Sequence, residues 1–137
     1  VIAVLAILSA VAIPAFNGVQ ANARASAVKN GLVNGVKECV VRAADNKSTG
    51  FSQAQSYANP TAYQGYTITE GVDDTCYSAT ADADSETVDS DFSIAMDAST
   101  GVVTKSCTNV NLPGCDGDVQ VIDNGDNTTT TVTSGTW

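Results

Sequence analysis

Histidine is absent from the 137 residues, and that removes much enzyme chemistry at once. Neither a Ser-His-Asp nor a Cys-His pair can be built without it. Zinc is disfavoured as well, because the four cysteines Cys39, Cys76, Cys107 and Cys115 include no close C-x₂₋₄-C pair. No glycine-rich loop of the phosphate-cradling kind occurs. Basic residues are scarce: six Lys and Arg face fifteen Asp and Glu, for a net charge of −9. Phosphate contacts need clustered cations, so no dedicated nucleic-acid site is expected. Carboxylate pairs of the glycosidase kind are compatible with the composition, but no pocket-forming core surrounds them. No enzyme is expected, and no cofactor is implied.

Charge is also missing from residues 1–16, VIAVLAILSAVAIPAF, and the first ionisable side chain is Arg24. The chain opens on Val1 rather than methionine, so it reads as processed or as lacking its beginning. Sixteen helical residues span about 24 Å, short of a hydrocarbon core of about 30 Å. The segment therefore either continues before Val1 or is a helix that protein buries. A cleaved signal peptide is disfavoured, because the helical pattern runs directly through Gly18 to Asn46. The five cations Arg24, Lys29, Lys37, Arg42 and Lys47 give residues 1–47 a net +3, whereas residues 48–137 carry −12.

From Val19 onward the pattern is amphipathic. Val28, Leu32, Val36, Cys39, Val40 and Ala43 recur at steps of three and four, which predicts one helical stripe. Lys29, Asn30, Asn34, Lys37, Glu38, Arg42 and Asp45 lie largely off it. The expectation is α+β: a long protruding N-terminal α-helix over 1–47 packed on a small antiparallel β-sheet head over 48–137. Within it, 1–16 is the apolar assembly or membrane segment and 17–47 the amphipathic half that packs on the head. A continuous rod of 46 residues is about 70 Å long. Pro14 predicts a kink or local opening, while Gly31 and Gly35 suggest close packing against a neighbour.

In the head, 47–65 reads as an irregular connection and 66–69 as a first strand. Residues 73–89 read as an acidic surface loop. Strands are expected at 92–96 and 102–107, joined by the turn 97–101, whose Gly101 suits a positive φ. Pro113-Gly114 marks another turn, 119–122 a further strand, and 123–127 a last turn. The Thr-rich run 128–133 reads as an edge strand or as a tail bearing O-linked sugar. The acidic stretches 82–86 and 116–118 have the oxygen chemistry of calcium ligands, but neither matches an EF-hand loop, and solvated surface charge is expected. An even cysteine count in a small acidic domain suggests two disulfides formed outside a reducing cytoplasm, with three pairings open.

The run VIAVLAILSAVAIPAFNGVQANARASAVKNGL, followed by a small head with cysteines, resembles the N-terminal region of type IV pilins. Ala12-Ile13-Pro14-Ala15-Phe16 corresponds to the family's A-I-P-x-[FY], and the Ala/Ser/Lys-rich helix follows it to Lys29. The match covers about a quarter of the chain. Alignment on Pro14 implies that roughly eight family residues precede Val1, including a phenylalanine at the mature terminus and a glutamate near it. The resemblance implies a subunit that polymerises through its N-terminal helix into an extracellular pilus filament serving surface attachment, motility or DNA uptake. It implies an assembly core of Val1, Ile2, Val4, Leu5, Ile7, Leu8, Val11, Ile13 and Phe16. Helix melting in the filament is implied around Ala6, Ser9 and Pro14. The implied partners are further copies in a helical homopolymer, the bacterial inner membrane before assembly, and the pilus assembly machinery.

Arg24, Lys29 and Lys37 are expected where the rod emerges, facing neighbouring acidic heads, water or lipid phosphates. Cys39–Cys76 with Cys107–Cys115 is the favoured pairing, against free buried thiols. The first bond would clamp the rod to the loop after the first strand. The second would close a short loop through Pro113-Gly114, like the disulfide-bounded C-terminal region common in the family. Three other readings stay open: a pseudopilin of type II secretion, a minor pilin at a filament tip, and a membrane-anchored surface binding domain that never polymerises.

Overall fold

Helix α1 runs from Ile2 to Ala44. In this computed structural model the described residues are 2–117, 120–123, 129–132 and 135–137, with side chains described at Phe16, over 18–117 and over 135–137. Val1, Asp118, Val119, the turn residues 124–127, Thr128 and Thr133 lie outside them. So do the side chains of Ile2, Val4, Leu5, Ala6, Ile7, Leu8, Ser9, Val11, Ile13 and Pro14. The helix passes through Ala6, Ser9 and Pro14 without interruption. The kink expected at Pro14 is compatible with this, and the melting is expected in the filament rather than in the single chain. A proline removes one i→i−4 bond from a helix.

The inner stripe of α1 comprises Ala21, Ala25, Val28, Leu32, Val36 and Cys39, all buried at steps of three and four. Val40 and Ala43, expected to extend it, are exposed instead. By that turn the stripe has rotated off the head. Gly31 and Gly35 sit on the same buried side for a steric reason. A Cβ at Gly35 would land inside the ring of Tyr57, and one at Gly31 inside that of Tyr63. Tyr57 is buried and donates its hydroxyl to the Leu32 carbonyl at 2.9 Å, so it has nowhere to go. Tyr63 is half-buried and meets Gly31 with its outer end. Gly35→Ala is expected to destabilise the chain by about 2 kcal/mol net, overpacking outweighing the helix-propensity gain. Gly31→Ala should be close to neutral. Urea titration of the two variants distinguishes these outcomes.

The helix ends in a left-handed residue, Asn46 at φ 54°. Lys47 N–H donates to the Arg42 carbonyl at 2.8 Å and Asn46 N–H to that of Ala43 at 3.0 Å. These two bonds form a Schellman motif that satisfies carbonyls left open at the helix end. The connection that follows is less irregular than expected. It holds a 3₁₀ turn at Phe51–Gln53 and the one-turn helix α2, Gln55–Ala58. Glu38 of α1 accepts from the Gln55 and Ser56 amides and from the Ser56 hydroxyl, the last at 2.6 Å. A carboxylate thus meets the free N–H groups that open α2.

Strands β1 (Tyr66–Glu70), β2 (Ser78–Ala83), β3 (Phe92–Met96) and β4 (Val103–Cys107) form an antiparallel sheet in the order β1-β2-β3-β4. The fold is thus α+β, one long helix on a four-stranded antiparallel sheet. β2 corrects the expectation of a surface loop over 73–89. Its inward residues are Ala79 and Ala81, both buried. The alternation was written in alanine, which carries little strand preference. β4 starts at Val103, one residue later than expected, because Val102 closes the turn by accepting from Asp97 N–H at 2.9 Å.

Register aligns Ile68 with Ala81, Ala81 with Phe92 and Phe92 with Cys107. This row meets the α1 stripe and forms the core with Tyr66 and Ile94. Burying side chains of this kind is worth about 1.5–3 kcal/mol each. A separate pair, β5 (Gln120–Asp123) and β6 (Thr129–Val132), forms a two-stranded antiparallel sheet. Four residues of the Thr-rich run are thus strand.

Candidate assembly interface

One disulfide fixes the head to the rod and a second closes a loop within the head. Cys39 of α1 bonds Cys76 in the β1–β2 connection, and Cys107 at the end of β4 bonds Cys115. This is the favoured pairing, and among the described residues no cysteine is free. The first bond closes across 37 positions and the second across 8. Residues 135–137 then fold back over the short loop. Gly135 exchanges two backbone bonds with Cys107, and Thr136 two with Asp116. The Trp137 indole donates to the carbonyls of Ser93 and Ser106 and meets Phe92 edge-on at 6.0 Å. No expectation attached to Trp137. As the sole tryptophan of a small head, it was the available signal.

The cations of the rod are used differently from the expectation. Arg24 Nη2 bonds both carboxylate oxygens of Asp89, at 3.0 and 3.3 Å. Asp89 is only 3% exposed. Lys29 donates to the Gly114 carbonyl at 3.0 Å and lies over the Phe92 ring. Arg24 and Lys29 therefore serve the head of their own chain, rather than being held free for neighbours or lipid. Burial explains this: once α1 lies on the sheet, each cation reaches a fixed oxygen beside it. Lys37 is exposed. Arg42 holds the chain after the helix through the Ser48 carbonyl at 2.7 Å and Gln53 Oε1 at 3.1 Å.

Below Ala21 the helix leaves the head. Phe16 is 63% exposed and Val19 65%, and nothing lies within 4 Å of a Cβ added at Gly18. Two large apolar side chains on one helix are thus exposed on the single chain. Phe16 is the one residue of the expected assembly core whose side chain is described, and the head does not cover it.

Comparison of the chain with family models, curated proteins and solved structures finds no match.

Among the described residues no helix is long and apolar enough to cross a membrane. Nor does any group of three or more Cys, Asp or Glu converge as metal ligands there. In the stretch 82–86, Asp82 accepts from the Thr69 hydroxyl at 2.8 Å and Asp84 from that of Thr67. These carboxylates tie the outer faces of β1 and β2 together.

Burial, with Glu38 nearby, pushes the Tyr57 hydroxyl well above the ordinary tyrosine value of 10.0. Burial, with Asp89 nearby, raises Tyr66 likewise. A raised folded-state pKa means that the native chain holds these protons more tightly than the unfolded chain does. Stability from them is complete below pH 10 and is lost as pH climbs above it. Alkaline titration of the full chain should accordingly show a stability loss beginning near pH 10. Tyr57→Phe together with Tyr66→Phe should flatten that limb.

Proposed function

We propose that the chain is a filament-forming structural subunit of the type IV pilin kind, and not an enzyme. The observation that carries this reading is the divided helix. Its inner stripe from Ala21 to Cys39 is buried on the head, yet Phe16 and Val19 are bare and an uncharged apolar run precedes them. The rod protrudes, and its apolar part finds an apolar environment beside copies of itself. Each Val, Leu or Ile so covered contributes about 1.5–3 kcal/mol, enough in sum to hold subunits without covalent links. The resemblance of residues 1–32 to the family's N-terminal run supports the same assignment.

Before assembly the apolar segment rests in the bacterial inner membrane, where a helix satisfies its own backbone bonds. Assembly machinery then transfers it into an extracellular homopolymer, in which the helix loosens around Ala6, Ser9 and Pro14. The disulfides suit that location. The test is polymerisation on detergent removal. The full chain should sediment as filaments of constant width, and a chain lacking residues 1–16 should stay monomeric. Equal solubility of both chains would overturn the reading in favour of a binding domain that never polymerises.

A further inference from the structure

Beside the C-terminal half of α1, at the β4 edge of the sheet, lies an open groove of about 510 Å³. Its apolar lining includes Val36, Val40, Ile94, Met96 and Val103, and Lys37 and Lys105 are its two charged residues. Neither lysine forms an ion pair among the described residues. Lys105 lies over the Trp137 ring at 4.6 Å, which holds its ammonium in place. An apolar slot between two cations is unusual on a head that is otherwise strongly acidic.

The β1–β2 connection, which leaves the sheet at the same end as the β3–β4 turn, presents the complement. Val72 is 97% exposed, the most exposed large apolar residue described. It stands between Glu70 and the pair Asp73-Asp74, all three exposed. The connection is held at both ends. Gly71 N–H donates to the Ser78 carbonyl, Cys76 N–H to that of Thr49, and Cys76 is bonded to Cys39. Val72 is thus a pre-organised apolar knob in an acidic collar, and its exposure shows that it does not fill the groove of its own chain.

We infer that the Val72 knob of one copy docks in the α1–β4 groove of the next, with Glu70, Asp73 and Asp74 against Lys37 and Lys105. The inference rests on the filament reading and adds a contact between heads to the one between rods. Knob and groove share no residue, so the contact pairs two different surfaces, is heterologous, and propagates as an open array where its rotation does not close into a ring. Apolar burial supplies its affinity, while the charges set register and association rate more than strength.

The test is site-directed cross-linking in filaments of the full chain. Val72→Cys with Val103→Cys, both exposed positions, should give an intersubunit disulfide ladder under mild oxidation, and each single variant should remain monomeric on a non-reducing gel. Val72→Cys with Val40→Cys gives a second, independent pair. Lys37→Glu with Lys105→Glu should cut the ladder yield about tenfold at low salt, and adding Asp73→Lys with Asp74→Lys should restore it to within about twofold. Intact filaments that yield only monomers from both cysteine pairs overturn the inference and leave the filament reading standing. A disulfide-linked dimer from Val72→Cys alone overturns it too, because the knob then meets its own copy, and so does a ladder from Val103→Cys with Phe16→Cys, because the groove then has another occupant. If the unmodified chain forms no filaments, both readings fall together.

Discussion

Removing the Cys39–Cys76 bond, by Cys39→Ala with Cys76→Ala, is expected to lower the unfolding free energy of the full chain by about 4 kcal/mol. The bond closes across 37 positions, so its loss restores a large conformational freedom to the unfolded chain. It also joins the rod to the sheet connection, and both sulfurs are fully buried. The Cys107–Cys115 bond closes across only 8 positions, and its removal should cost about 2.5 kcal/mol. For a chain of this size the larger loss corresponds to a drop in Tm of roughly 15 °C. Urea unfolding of both double variants in detergent checks the order. Equal losses would show that strain or residual unfolded structure, rather than loop length, governs these bonds.

Arg24→Ala should cost about 3 kcal/mol, because it strands the Asp89 carboxylate in a nearly dry site. One guanidinium nitrogen carries both bonds, and the Arg24 side chain keeps 22% exposure, so the lower end of the range for a broken buried pair applies. Asp89→Ala should cost less, since the guanidinium left behind still reaches water. Combining the two should restore much of the loss from Arg24→Ala, giving a favourable coupling of about 1–3 kcal/mol in a double-mutant cycle. A cycle that closes on zero coupling would mean that the pair does not interact in solution.

These two sites also show how the sequence was readable and where it was not. The stripe through Val28, Leu32, Val36 and Cys39 is written in residues that have no other use on a helix, and it was legible. Its continuation to Val40 and Ala43 was not, because the drift of a straight helix against the sheet is a tertiary property. Strands β3 and β4 announce themselves in Phe92, Ile94 and Val103. β2 does not, since its inward positions Ala79 and Ala81 stand among Ser78, Thr80 and Asp82, and its packing depends on neighbours elsewhere in the chain. The Arg24–Asp89 pair spans 65 positions, and no local pattern separates a carboxylate destined for burial from the solvated ones around it. The disulfide-closed loop was visible in cysteine positions. The strap formed by Trp137 was not, because its partners are backbone carbonyls. Of the proposed assembly interface, the apolar run was plain, and the groove edged by Lys37 and Lys105 emerged only from the folded arrangement.

The most direct test of the account is a filament image at side-chain resolution. It should place residues 1–16 of each subunit along a shared axis against the same residues of other subunits, with Phe16 covered and the heads outside. A filament whose interior excludes that segment, or a dispersed monomer with the segment folded against its own sheet, would contradict it.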